Sequence, residues 1–105
     1  MNENPTARRF ENVSFRFLGS HEDTTLSGFV IVRSDEMILM IPRSPSGPYH
    51  IAGKLTKSVY RGVNTDDDRH DDAKVAWADL GDIFVGRWLE SGYEYLFSFE
   101  LRATH

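Results

Sequence analysis

The sequence predicts an all-β protein, either a small antiparallel up-and-down β-barrel or a strongly curved β-sandwich of about seven strands. Runs of alternating apolar and polar residues recur along the chain, and two-residue turn signals separate the last of them. No window of eleven or more residues shows a helical period with caps. A chain of 105 residues without an internal linker predicts a single β domain over residues 8–105, after a disordered N-terminal tail over residues 1–7.

The first strand is expected over residues 9–18, where Val13, Phe15 and Phe17 alternate with polar residues. This period of two is typical of a strand with one buried face. The first strand therefore directs its aromatic residues towards the core.

Residues 25–33 and 36–41 are expected to form a hairpin whose turn places Arg33 opposite Glu36. A cross-strand pair of opposite charges favours this register. The third strand is apolar on both faces, which predicts cover on both sides. That cover would come from a layer packed outside the strand or from a second subunit.

A long fourth strand is expected over residues 49–63, with Gly53 as a bend or bulge. His50 and Tyr60 are the central residues best suited to acid–base chemistry. On one continuous strand they would lie roughly 33 Å apart, too far to act together.

The last part of the chain, residues 74–101, predicts a three-stranded meander. Gly81-Asp82 and Ser91-Gly92 each separate two strand-like runs by two residues, as in tight hairpins. These turns fix a register that pairs Asp79 with Phe84, Trp77 with Gly86, Trp88 with Tyr95, Gly86 with Phe97 and Phe84 with Phe99.

Directly opposed residues share a sheet face, so this register predicts a wall that is mostly aromatic. Its members are Val75, Trp77, Phe84, Gly86, Trp88, Tyr93, Tyr95, Phe97, Phe99 and Leu101. Such side chains can fill a small barrel completely. If Gly86 leaves a gap between Trp77 and Phe97, the same wall would line a pocket for a flat apolar or aromatic ligand.

The candidate ligand-binding residues are Trp77, Asp79, Gly86, Trp88, Glu90, Tyr93, Tyr95 and Phe97. Asp79 and Glu90 fall at strand ends, where they could orient the polar end of a ligand, and Tyr93 lies at the same kind of position. Gly86-Arg87-Trp88 also resembles the Gly-x-Trp motif of the lipocalin and wider calycin group, whose small barrels mostly bind apolar molecules. In that group the motif lies on the first strand, so the resemblance implies a calycin-like architecture and no particular binding residue.

The opposite face of the meander is more apolar than the exterior of a barrel needs to be. It carries Ala76, Ala78, Leu80, Ile83, Val85, Arg87, Leu89 and Leu96 beside Glu94, Ser98 and Glu100. Surfaces of this kind are often buried by a partner, which predicts a homodimer or a second packed sheet. Arg87 could pair with Glu94 or Glu100.

The net charge of −4 is concentrated in residues 66–72, which hold five acids and one base, while the rest of the chain is balanced. Because acidic and basic residues are equal in number outside this segment, the sequence argues against binding to nucleic acid or to anionic membranes. The acidic segment fits an EF-hand poorly, because Asp71 and Trp77 stand where that loop needs glycine and glutamate. A solvated loop is the favoured interpretation, with a cation site as the alternative.

The chain has no cysteine, no secretory leader and no apolar run long enough to span a bilayer, which predicts a soluble cytoplasmic protein. Motifs for nucleophilic, metal-dependent or dinucleotide chemistry are missing from the sequence. We therefore expect a non-catalytic binding module without a cofactor. It would hold a small apolar ligand in its interior or, alternatively, self-associate through its outer face around a filled interior.

Overall fold

The computed structural model describes residues 7–19, 23–42, 48–64, 73–90 and 92–101. In this part of the chain, eight strands form a closed antiparallel barrel in which each strand pairs with the next and β1 pairs with β8. The strands are β1 (Arg8–Leu18), β2 (Asp23–Val32), β3 (Glu36–Ile41), β4 (Tyr49–Thr56), β5 (Val59–Asn64), β6 (Lys74–Asp79), β7 (Phe84–Glu90) and β8 (Tyr93–Phe99). The all-β, up-and-down barrel predicted from the sequence is confirmed.

Two of the predicted features lie largely outside the described residues. The N-terminal tail is described only at residue 7, so its disorder stays a prediction. The acidic segment 66–72 is not described either.

The predicted fourth strand over residues 49–63 is wrong, because this segment forms the hairpin of β4 and β5. The chain reverses at Lys57 and Ser58, which have φ angles of 52° and 73°. Consecutive residues with positive φ form the type of turn whose twist matches a hairpin. This reversal accounts for the difference between seven predicted strands and eight observed ones.

A β-bulge in β1 changes which side chains face the core. The register against β2 shifts between Phe10 and Val13, and Asn12 has a φ of 57°. The extra residue lets Phe10 point inward together with Val13 and Phe15, although simple alternation would turn it outward. All three are buried.

The hairpin between β2 and β3 has the predicted register. The backbone N–H of Arg33 donates to the Glu36 carbonyl at 2.8 Å, and the two side chains form an ion pair at 3.4 Å. The predicted cover on both sides of β3 is present only in part: on the outer face Ile38 is buried within the single chain, whereas Met40 is partly exposed. Ile38 lies between Ile31 and Ala52 and is 8% exposed in the single chain.

The C-terminal meander has all five predicted cross-strand pairs. Gly81 has a φ of 109°, and the Leu80 N–H donates to the Ile83 carbonyl at 2.9 Å across the first turn. At the second turn Glu90 faces Tyr93 and Gly92 has a φ of 82°, whereas Ser91 lies outside the described residues.

The core fills the inside of the barrel. Its buried residues are Phe10, Val13, Phe15, Phe17, Val30, Met37, Leu39, Ile41, Tyr49, Ile51, Ala73, Val75, Trp77, Trp88, Phe97 and Phe99. Because the strands alternate in direction, the odd-numbered ones all run towards one rim. We call it the Glu90 end, after the last residue of β7, and we call the other rim the Asp79 end, after the last residue of β6.

Candidate functional site

Phe97 is the centre of the aromatic cluster inside the barrel. Its ring lies 5.7 Å from the rings of Phe17 and Trp88, 6.0 Å from Phe99 and 6.3 Å from Trp77, measured between centroids. The two tryptophans meet it edge to face, an arrangement that the quadrupoles of aromatic rings favour. Both tryptophans point inward as predicted and are nearly fully buried.

The space beside Gly86 is occupied by the side chains that were predicted to flank a gap there. A Cβ atom at this position would lie 2.6 Å from Cβ of Trp77 and 2.8 Å from Cε1 of Phe97. Both distances are far below van der Waals contact. The added atom would also collide with the carbonyl oxygen of Ala76 on the paired strand, so glycine is required at position 86 both by the backbone of β6 and by the packing of Trp77 and Phe97.

Trp77 also reaches across the neighbouring strand β5 to β4. Its six-membered ring lies over Gly53, where an added Cβ would come within 2.4 Å of Cη2. The indole stacks on Tyr60 at 5.6 Å between centroids, and its Nε1–H donates to the sulfur of Met37 at 3.2 Å. Trp77 on β6 thus contacts residues of β3, β4 and β5 inside the barrel.

Polar contacts concentrate at the Glu90 end. The hydroxyl of Tyr49 lies 2.9 Å from each carboxylate oxygen of Glu90, and Nε1–H of Trp88 donates to the same carboxylate at 3.0 Å. The rings of Tyr49 and Trp88 meet edge to face at 5.0 Å. Buried tyrosine and tryptophan need partners for their polar atoms, and one half-buried carboxylate supplies both.

Asp79 lies at the opposite end from Glu90, so these two predicted site residues do not belong to one rim. The carboxylate of Asp79 accepts the N–H of Gly81 at 2.8 Å, which holds the β6–β7 turn. Tyr60 is close by, and its pKa is raised above 10.0 by partial burial and by the negative charges of Asp79 and Asp35. Burial and these charges thus disfavour the phenolate form of Tyr60.

The eight predicted ligand-binding residues therefore divide into three groups. Trp88, Glu90, Tyr93 and Tyr95 lie towards the Glu90 end, Asp79 marks the other rim, and Trp77, Gly86 and Phe97 pack between them. Whether any of them binds a ligand stays a prediction.

Sequence reasoning left three residues out of the candidate site: Tyr49, Met37 and Tyr60. Tyr49 has the inward parity of β4, a signal that could have identified it. The contacts of Tyr60 and Met37 with Trp77 could not be deduced from the sequence without the β4–β5 turn. That turn sets Tyr60 opposite Trp77.

His50 and Tyr60 do not form an acid–base pair in this fold. They lie on different strands, β4 and β5, rather than on the single long strand predicted from the sequence. His50 has the outward parity of β4, and its backbone N–H donates to the buried side-chain oxygen of Asn64 at 3.0 Å. Tyr60 faces inward and stacks on Trp77 instead.

The outer face carries three exposed leucines on adjacent strands, which we call the leucine patch: Leu18, Leu89 and Leu96. These residues are 48%, 45% and 51% exposed, respectively. Leu18 lies directly opposite Leu96 in the β1–β8 pairing, and Leu89 is diagonal to Leu96 across β7 and β8. The patch is thus continuous across the seam of the barrel.

An ion pair crosses the leucine patch. Nε of Arg87 lies 2.5 Å from a carboxylate oxygen of Glu94, as the sequence suggested. Arg87 lies directly opposite Leu96, and Glu94 directly opposite Leu89. Each member of the pair therefore has a leucine as its cross-strand neighbour.

In the described ranges, no three histidine, cysteine, aspartate or glutamate side chains are grouped so that they could hold a metal ion. A helix long and apolar enough to cross a membrane is likewise missing from the part of the chain that the structure describes. The chain matches no family model and no curated protein.

Proposed function

We propose that this protein is a non-catalytic interaction module that pairs with a second copy of itself through the leucine patch. The observation that carries the proposal is the continuity of Leu18, Leu96 and Leu89 on three adjacent strands, each about half exposed. Apolar groups that stay in water after folding favour association, because each square ångström removed from water contributes roughly 25 cal/mol.

The charges around the patch favour a second copy as the partner. In a two-fold symmetric interface the same patch faces itself, so it must be complementary to itself in charge as well as in shape. Arg87 and Glu94 stand side by side within the patch. Rotation about a two-fold axis would place Arg87 of one copy near Glu94 of the other, and the leucines would meet between them.

The packing of the interior supports a surface function over a cavity function. Trp77 and Phe97 occupy the space beside Gly86, and Trp77 covers Gly53. An eight-stranded barrel is just wide enough for side chains to fill it, and aromatic residues fill this one at its middle. Binding in the middle of the barrel would require these rings to move apart.

The test compares Leu89→Asp and Leu96→Asp with Leu80→Asp. Leu80 is also an exposed leucine, but it lies in the β6–β7 turn at the Asp79 end, away from the patch. Size-exclusion chromatography with light scattering at micromolar concentration should give monomers for the two patch variants and dimers for Leu80→Asp and the wild type. Far-UV circular dichroism checks that all variants are folded. A monomeric wild type would reject the proposal.

A second candidate function is the binding of a small aromatic ligand at the Glu90 end. It is favoured by the Glu90 carboxylate, which accepts two hydrogen bonds beside an aromatic surface that includes Tyr49 and Trp88. An aromatic ligand with an N–H donor could compete for this acceptor.

Indole is a suitable probe for this candidate, and NMR can follow the Nε1–H signal of Trp88 during its titration. Saturable shifts that Glu90→Gln weakens and Asp79→Asn leaves unchanged would support binding at this end. Shifts that both variants leave unchanged, or shifts that do not saturate, would reject it.

A further inference from the structure

The outer face of β4, β5 and β6 carries cations and no acid. Lys54 on β4, Arg61 on β5 and Lys74 on β6 are exposed and have the outward parity of their strands. The one acid in the sequence of these three strands is Asp79, which has the inward parity of β6 and holds the turn at its end. Positive charge is thus gathered on one side of a chain whose net charge is −4.

The three cations are neighbours in the sheet. Lys54 lies directly opposite Arg61 in the β4–β5 pairing. Lys74 lies directly opposite Val63, which makes it diagonal to Arg61 across β5 and β6. Directly opposed side chains have Cβ atoms about 4.5–5.5 Å apart, and diagonal neighbours lie about 7–8 Å apart. We call Lys54, Arg61, Lys74 and Val63 the basic face.

The charges of the basic face are not neutralised by the acids that the structure describes. Glu36 lies opposite Lys54 on the β3 side, but its carboxylate pairs with Arg33 at 3.4 Å. The three cations of the face form no ion pair within the described ranges. Like charges that stand directly opposite each other destabilise a sheet. An anion beside Lys54 and Arg61 would relieve this repulsion.

The residues among the cations indicate the kind of anion. Val63 is 47% exposed, and two half-buried alanines with outward parity lie next to the cations, Ala52 opposite Val63 and Ala76 opposite Arg61. Aliphatic groups between cations suit a partner that carries apolar side chains between its carboxylates. Nucleic acid fits less well, because the outward positions of β4–β6 hold no phenylalanine, tyrosine or tryptophan on which a base could stack.

We infer that the basic face is a docking site for an acidic segment of another protein, in which apolar residues stand between carboxylates. The carboxylates pair with Lys54, Arg61 and Lys74, and the apolar side chains cover Val63. Lys74 borders Leu89 of the leucine patch, whereas Lys54 and Arg61 lie further round the barrel on β4 and β5. The inference therefore goes beyond self-association.

The probe is the blocked peptide acetyl-Glu-Leu-Glu-Glu-Leu-Glu-amide, titrated into the full chain and followed by amide NMR shifts. We expect saturable shifts centred on Arg61, Val63 and Lys74, with an affinity that falls as salt is added. The same peptide with glutamine in place of glutamate should not bind, because it carries no charge. The peptide with serine in place of leucine should bind more weakly, because it cannot cover Val63.

Single variants of the protein localise the binding. Lys54→Gln and Arg61→Gln should each weaken it by about two- to fivefold, as for an exposed ion pair. Arg16→Gln is the matched control and should leave binding unchanged, because it removes an exposed cation from β1 on another side of the barrel. Urea denaturation should show no loss of stability in Arg61→Gln, since this variant removes one of two opposed like charges.

The dimer and the basic face can fail separately. Leu96→Asp, which alters the leucine patch, should bind the peptide as the wild type does. Absence of saturable shifts, equal binding of the serine peptide, or equal weakening by Arg16→Gln would overturn the inference.

Other anionic occupants of the basic face are excluded by two further titrations. Peptide binding that appears only after asparagine replaces the five aspartates of residues 66–72 would show that the chain's own acidic segment covers the face, and would overturn the inference. Phosphatidylserine vesicles or an oligothymidylate that bound the same residues more tightly than the peptide would assign the face to phosphate groups and overturn it as well.

Discussion

Trp77 covers Gly53 from two strands away, so close that a Cβ atom at position 53 would lie 2.4 Å from its ring. Gly53 is on β4 and Trp77 on β6, with β5 between them. This contact depends on the absence of a side chain at position 53. Gly53, which the sequence predicts to be a bend or bulge, is thus needed for the packing of the aromatic core.

The first prediction is that Gly53→Ala destabilises the protein through Trp77. Overpacking of a filled core typically costs about 1–3 kcal/mol of the free energy of unfolding. In a Trp77→Phe background the same substitution should cost less, because phenylalanine lacks the part of the indole that meets position 53. Urea denaturation of the two single variants and the double variant measures this coupling, and strictly additive losses would show that the two residues do not interact.

The second prediction concerns Lys57 and Ser58, whose positive φ angles disfavour residues with a side chain. Ser58→Gly should raise the free energy of unfolding by roughly 0.5–1 kcal/mol, since glycine accepts this conformation without steric cost. Ser58→Ala serves as the control and should not stabilise the protein. A stabilising alanine would mean that loss of the serine hydroxyl, rather than relief of the backbone, is responsible.

The third prediction is a pH dependence from Tyr60. Its pKa is raised above 10.0 because burial and then the charges of Asp79 and Asp35 disfavour the phenolate. A group with a raised pKa in the folded state contributes stability that is fully present below its unfolded pKa and is lost as pH rises through the folded pKa. The wild type should therefore lose stability above pH 10.0 relative to Tyr60→Phe.

Spectrophotometric titration of the phenols gives an independent check on Tyr60. Subtraction of the Tyr60→Phe curve from the wild-type curve isolates this residue, and its midpoint should lie above 10.0. Asp79→Asn should move the midpoint down, because it removes one of the repelling charges. A midpoint that stays in place in Asp79→Asn would contradict the assigned cause.

The fourth prediction concerns Glu90, which accepts hydrogen bonds from Tyr49 and Trp88. Glu90→Ala should lower the free energy of unfolding by about 1–3 kcal/mol, because it leaves two partly buried donors without this acceptor. Tyr93→Phe is the control at the same rim, since Tyr93 is strongly exposed. Equal losses in both variants by urea denaturation would argue against a special role for Glu90.

The C-terminal meander could be predicted from the sequence because its turns carry glycine at positions where the chain needs positive φ. Gly81 and Gly92 both have this conformation, and the spacing around them fixes every pair from Trp77 to Phe99. The hairpin at Arg33 and Glu36 was likewise identifiable from charge.

Two other features could not be predicted, for different reasons. Lys57 and Ser58 form a hairpin turn with no glycine or asparagine, so the sequence pattern continues through it as one strand. Asn12 adds a bulge that reverses the parity of Phe10. At Lys57 and Ser58 the fold overrides the local backbone preference, whereas asparagine accepts a positive φ readily and the alternation of apolar residues does not show that Asn12 uses it.

The candidate site was predicted in its composition but not in its arrangement. The aromatic residues do face one interior, yet the gap expected beside Gly86 is closed by Trp77 and Phe97. Asp79 and Glu90 share a sheet face but stand on opposite rims, because strand ends alternate between the two ends of an up-and-down barrel. The alternation of residues predicts which side chains face the interior of the barrel. It does not predict whether those side chains leave a cavity, because that depends on the position of each ring.

Sedimentation equilibrium of the unmodified protein is the sharpest test of whether the leucine patch joins two copies of this chain. Pairing through the patch predicts a mass that rises with concentration towards twice the 12.0 kDa of one chain. It also predicts that the Leu96→Asp variant stays at 12.0 kDa over the same range. A wild-type mass of 12.0 kDa at every concentration would contradict it.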